Sequence, residues 1–111
     1  MIRNLTQNTV IASHVNIAQT PPQRMKGLLG RSDFPQGEAL VITHCQSIHM
    51  FFMTFAIDVI FCDANNKVVG LCHEIKPFHL SPIFFKASYA IELPAGTITT
   101  SNTKIDDQIQ L

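Results

Sequence analysis

The stretch Ile57-Asp58-Val59-Ile60-Phe61-Cys62-Asp63-Ala64-Asn65-Asn66-Lys67-Val68-Val69-Gly70-Leu71 decides how this chain folds. Apart from its two aspartates, the segment 57–63 is β-branched, aromatic or small and apolar, the composition of a strand buried on both faces. Ala64-Asn65-Asn66 tolerates the left-handed backbone of a tight turn, so the strand is expected to fold back as a hairpin onto residues 67–71. A β-rich core organised around this hairpin follows.

Working outward, residues 39–43, 48–53 and 88–93 carry the same β-branched and aromatic signal, and residues 108–111 carry a weaker one. Pro77, Pro82 and Pro94 mark breaks between them. Within residues 9–18, Val15 and Ile17 alternate with His14 and Asn16, the period of a half-exposed strand. One helix is expected at about residues 21–29. Thr20 is its N-cap, Pro21 and Pro22 sit in the first turn where backbone donors are not needed, and Gln23 completes a capping box. Met25, Leu28 and Leu29 would form its apolar stripe and Gly30 its left-handed stop. The fold class is therefore mainly β (α+β): a curled antiparallel or mixed sheet, or a partly open barrel, of about seven strands with one short helix, in a single domain over residues 1–111.

Composition agrees. Hydrophobic residues make up 46% and charged residues 14% of the 111, a globular balance in which many strands have both faces covered. Eight basic and eight acidic side chains cancel, which removes the field that draws proteins onto phosphate backbones, so nucleic acid is not an expected partner. The most apolar run, residues 48–62, is shorter than a membrane span and contains His49 and Asp58, so no span is expected. Cys45, Cys62 and Cys72 are scattered and odd in number, without zinc-knuckle or redox-dithiol spacing; with no signal-like stretch in residues 1–20, a cytoplasmic setting is expected. No cofactor is expected, and an open sheet edge leaves a homo-oligomer possible.

Chemistry is sought where polarity is costly. Asp58 and Glu92 each interrupt an apolar strand, and an unpaired buried carboxylate costs several kcal/mol or takes up a proton. Arg24 and Arg31, seven residues apart and flanking Gly27, are the expected partners. Such pairs either fasten the helix to the sheet or, with His49, line a pocket for a small anionic or zwitterionic ligand. A second constellation, His44, Cys45, His49, Met50 and Met53, has the soft donors that suit copper or zinc, although strand alternation lets only His49 and Met53 converge. Cys45, beside His44, is the one cysteine with a local base; Cys62 and Cys72 read as small core residues.

Four blocks in order, Arg24-Met25-Lys26-Gly27-Leu28-Leu29-Gly30-Arg31, Ser47-Ile48-His49-Met50-Phe51-Phe52-Met53, Ile57-Asp58-Val59-Ile60-Phe61 and Tyr89-Ala90-Ile91-Glu92-Leu93-Pro94-Ala95-Gly96, resemble domain-of-unknown-function family 192 over nearly the whole chain. The resemblance implies a small β-rich domain from a prokaryotic, bacterial source, with no agreed activity or ligand. Positions that recur in the family match Arg24, Gly27, Arg31, Met53, Asp58, Glu92 and Gly96. Phe52 stands where many members carry tryptophan, Thr54-Phe55-Ala56 lacks a basic residue and proline common there, and Asp106-Asp107 replaces a Gly-Asp turn.

The leading expectation is a noncatalytic accessory domain that binds a small ligand or a protein partner, with its site among Arg24, Arg31, His49, Asp58 and Glu92. A protein partner would use an exposed apolar patch at Phe78, Ile83, Phe84 and Phe85. The alternatives are an enzyme using Asp58 or Glu92 as acid or base beside an arginine, and soft-metal binding through His49 and Met53.

Overall fold

The computed structural model describes residues 1–111 and contains eight strands in two sheets, with two short helices. The segment 57–71 forms the expected hairpin. Strand β5 (Ile57–Cys62) turns through residues 63–67 into β6 (Val68–Ile75), and Asp63 holds the turn by accepting the N–H groups of Asn65 and Lys67 at 2.9 Å each. Asn66 takes the left-handed conformation, φ +64°. The larger sheet is completed by β3 (His14–Ala18), β4 (Glu38–Thr43) and β7 (Tyr89–Pro94) in the order β3-β4-β7-β5-β6. The β3–β4 pair is parallel and the others antiparallel. Strands β1 (Ile2–Asn4), β2 (Thr9–Ala12) and β8 (Ile109–Gln110) form the smaller antiparallel sheet, and no barrel closes.

Burial on both faces makes β5 and β7 the centre of the fold, as their apolar composition requires: every residue of each is buried. One face carries Ala39, Val41, Ile60, Ile91 and Leu93, which meet Ile2, Ile11 and Ile109 of the small sheet. The other carries Val59, Phe61 and Ala90, which meet Leu28 and the inward residues Ile48, Met50 and Met53 of the long β4–β5 connection.

Phe84 lies tilted on Phe61 with ring centroids 4.6 Å apart, and it does so by occupying the space above Gly70. A methyl group at Gly70 would come 2.5 Å from Phe84 Cε1 and 2.7 Å from Cγ. Gly70→Ala is therefore expected to push the ring off Phe61 and cost about 1–3 kcal/mol, read as a lowered urea midpoint with an unchanged m value. A loss below about 0.5 kcal/mol would mean that Phe84 moves aside freely.

Several expectations need correction. Residues 9–18 form two strands, β2 and β3, because the chain breaks at Ser13 and crosses from one sheet to the other. The capping box at Thr20 and Gln23 is present, yet helix α1 (Pro21–Lys26) stops at Gly27, φ +47°, rather than reaching Gly30. Met25 is consequently 79% exposed and only Leu28 of the expected stripe is buried. Residues 48–53 form no strand. Their backbone bonds instead to a facing loop: Ile48 exchanges bonds with Ser81, Met50 donates to His79 and accepts from Phe78, and Phe52 turns out at φ +64°. A second helix, α2 (Thr97–Thr100), and strand β1 were not expected. The weakly signalled last strand does form. Asp106 adopts the glycine-type φ of +75°, and the Asp107 carboxylate accepts Asn4 Nδ2–H and Lys104 N–H, each at 2.9 Å.

Candidate functional site

Register separates the two costly carboxylates. Asp58 lies opposite Leu93 and Glu92 opposite Val59 on the neighbouring β5 and β7 strands. Successive side chains on a strand alternate faces, so Asp58 points toward the small sheet and Glu92 toward α1 and the β4–β5 connection. The expected single polar cluster is thereby split in two.

Asp58 is 0% exposed, and both of its oxygens are taken by backbone. Oδ1 accepts Glu74 N–H and Oδ2 accepts Ile98 N–H, both at 2.8 Å. Each donor lacks its ordinary partner. Glu74 lies in a bulge of β6, where Ile57 faces Ile75 but Val59 faces Cys72, and it holds φ +48°. Ile98 is in the first turn of α2, whose N-cap Gly96 has no side chain to offer. Asp58 thus caps a helix and closes a bulge, and with no free oxygen and no exposure it is removed from acid or base chemistry.

The guanidinium groups also go elsewhere. Arg31 pairs with Glu38 at 3.0 Å and lies over the Phe34 ring, 5.4 Å from its centroid. Arg24 donates to the Gln19 carbonyl. Neither arginine makes the expected ion pair with Asp58 or Glu92. No residue of the helix is buried; the turn that follows it reaches the sheet instead, through Leu28, buried against the apolar face.

Glu92 is left on the floor of an open cleft of about 1140 Å³ between α1, the β4–β5 connection and the end of β7. It is 6% exposed and its Oε1 has no hydrogen-bond partner. Burial pushes its carboxyl from the ordinary 4.5 up to about 7. Gly27 lies directly above: a Cβ there would sit 3.8 Å from Oε1, and its positive φ disfavours any side chain. Leu28, Ile48, Met50 and Met53 give the cleft apolar walls, while Arg24 and His49 stand at its edge. His49 is exposed and stacks on Phe51, with centroids 5.2 Å apart.

Of the five expected site residues, then, Arg24, His49 and Glu92 border one cleft. Arg31 borders a smaller adjacent groove of about 290 Å³ together with Lys26. Asp58 is on the far side of the sheet. His49 and Met53 both border the cleft, but one is exposed and the other is core, and no group of three or more His, Cys, Asp or Glu side chains comes together to hold a metal. Cys45 also borders the cleft; burial, with the Glu92 charge, pushes its thiol up to about 11, so it is protonated and a poor nucleophile near neutral pH. Burial likewise pushes Cys62 up to about 12. The expected apolar patch is present in part: Phe78, Ile83 and Phe85 are exposed, whereas Phe84 turns inward onto Phe61. Ser47, Ala87 and Ser88 also line the cleft and carried no sequence signal, because small residues at strand ends look alike whether or not they border a cavity.

No helix is long and apolar enough to cross a membrane. Comparison with solved structures gives two of the same fold. A protein of unknown function from Novosphingobium aromaticivorans has a TM-score of 0.80 and 17% identity, covering 87% of this chain and 74% of its own. A Sinorhizobium meliloti protein named as a proposed transcription regulator has a TM-score of 0.76 and 20% identity, covering 86% and 79%. At these identities the likeness is one of fold. Among sequence relatives, the UPF0127 protein of Thermococcus sibiricus is 34% identical over 113 residues, covering 98% of this chain and 73% of the relative. That of Pyrococcus horikoshii is 32% identical over 115 residues, covering 99% and 97%. Both relatives are archaeal and lend no support to the expected bacterial source. The family model DUF192 (Uncharacterized ACR) matches residues 3–111, and with these relatives it establishes that the chain belongs to the DUF192 family.

Proposed function

We propose that this protein is a noncatalytic binding domain for a small ligand, held in the cleft between α1 and the β4–β5 connection. The observation that carries the reading is the Oε1 atom of Glu92, buried on the cleft floor and without a donor. Buried polar atoms are nearly always satisfied, and the exceptions concentrate where an external group completes them. Apolar walls with few polar groups are the usual composition of a ligand site. Three free cysteines fit a reducing, cytoplasmic setting.

The test is a fragment screen followed by amide ¹H–¹⁵N spectra of the full chain. Shifts are expected to gather at Gly27, Cys45, His49 and Glu92. Shifts scattered over the surface, or gathered at the exposed Phe78 and Phe85, would replace the cleft with another site. A second reading, acid or base catalysis by Glu92 on a ligand in the same cleft, is favoured by its carboxyl lying near 7. It requires turnover that Glu92→Gln abolishes while binding persists.

A further inference from the structure

We infer that the ligand of this cleft is an organic ammonium ion, a primary or secondary amine on a compact apolar body, whose N–H groups bond to the Glu92 carboxylate. The inference rests on the cleft being a ligand site and adds the chemical class of what enters it.

The first support is that the protein supplies no cation of its own to this carboxylate. Arg24 and Lys26 border the cleft, but Arg24 is turned to the Gln19 carbonyl and neither forms an ion pair with Glu92; Arg31 is engaged by Glu38. The nearest backbone donor on the helix side, Gly27 N–H, bonds to Gln23 O at 3.0 Å. An acid in the middle of the central sheet, flanked by Leu40 and Val59, thus borders the cleft without an ion pair and with one oxygen that has no donor.

The second support is the shape and chemistry of the approach. Gly27, φ +47°, passes over the carboxyl without a side chain; a Cβ there would sit 3.8 Å from Oε1. Met50 and Met53 contribute thioethers, which are polarizable, adaptable and weakly accepting, so they suit an alkyl body carrying positive charge. A carboxylate or phosphate placed on this floor would be repelled by the ionised Glu92, and a purely apolar compound would leave Oε1 as it is. A neutral donor such as an alcohol satisfies the atom, but with the weaker bond of an uncharged donor.

Receiving a cation requires Glu92 to be ionised, so affinity rises with pH through the range where its carboxyl, raised by burial to about 7, gives up its proton. The other titratable groups bordering the cleft are Arg24 and Lys26 from the helix, His44, Cys45 and His49 from the connection, and Tyr89 from β7.

The experiment compares cyclohexylamine, cyclohexanol and cyclohexanecarboxylate, three probes of one shape, by NMR titration of the full chain at pH 6 and pH 8. Cyclohexylamine is expected to bind about tenfold more tightly than cyclohexanol at pH 8, the difference between a charge-assisted and a neutral hydrogen bond, and cyclohexanecarboxylate not at all. Glu92→Gln is expected to erase the preference for the amine and its pH dependence, while His73→Gln, exposed on β6 outside the cleft, keeps both. Equal binding of amine and alcohol, or a preference for the carboxylate, overturns the ammonium assignment and leaves the cleft as a ligand site. Absence of binding by all three, with no cleft-directed fragment in the screen, overturns both.

Discussion

Replacing Asp58 by alanine is expected to remove on the order of 3–5 kcal/mol of folding stability, since two backbone N–H groups would be left buried without an acceptor and each hydrogen bond to a charged group contributes about 1.5–3 kcal/mol. The donors come from opposite sides of the carboxylate, Glu74 from the β6 bulge and Ile98 from the start of α2. They cannot satisfy each other. The site is 0% exposed and lies among Ile60, Leu93 and Ile98, so bulk water does not reach the freed donors. Asp58→Asn keeps one acceptor and turns an amide N–H toward the second donor, so an intermediate loss is expected. Against a total stability of roughly 5–15 kcal/mol, the alanine variant should unfold at a much lower urea concentration, with Ile98 and Glu74 amide protons exchanging faster than those of β5. A loss under about 1 kcal/mol would show that the two donors find other partners.

Glu92→Gln is expected to have the opposite sign at neutral pH. In the unfolded chain the carboxyl ionises at its ordinary 4.5, and in the folded protein at about 7. Between those values the folded state holds a proton that the unfolded state has released, so the contribution of Glu92 to stability is most favourable below pH 4.5 and falls as pH rises to 7. Above pH 7 the full penalty is present, on the order of 3 kcal/mol at about 1.4 kcal/mol per pH unit. Glutamine cannot ionise. The variant should match wild type within about 1 kcal/mol near pH 4.5 and exceed it by up to about 3 kcal/mol at pH 8, read as a difference in unfolding midpoint that widens with pH. A pH-independent difference would mean that Glu92 is ionised throughout and that a donor reaches Oε1.

The two variants separate roles that the sequence made look alike. Asp58 and Glu92 each sit in an apolar strand, and the burial cost of a charge is legible from that context alone. The identity of the partner is not. Arginine seven residues from arginine on a short helix was the obvious donor set, but the donors Asp58 uses are backbone N–H groups, which carry no residue-type signature. Their availability depends on a bulge and on a glycine N-cap that exist only once the chain is folded. The hairpin at 57–71 and the capping box at Thr20 and Gln23 were legible because each is made by neighbours in sequence whose side chains act on adjacent backbone. The segment 48–53 has the apolar content of a strand but forms none; its partner is an irregular loop thirty residues away, which bonds to it at a few points, and its backbone turns at Phe52.

What the amino-acid order determined alone was the class of fold, the central hairpin, the start of the helix and the list of polar residues too costly to be incidental, because propensity, turn chemistry and burial cost are local properties. What only the tertiary structure decided was which of those residues share a space. Pairing β5 with β7 in a register that sets Val59 against Glu92 puts Glu92 and Asp58 on opposite faces of one sheet, and a slip of one residue would have joined them. Registration between strands thirty residues apart is a collective outcome of packing two cores at once, and it left one carboxylate satisfied and the other open to whatever enters the cleft.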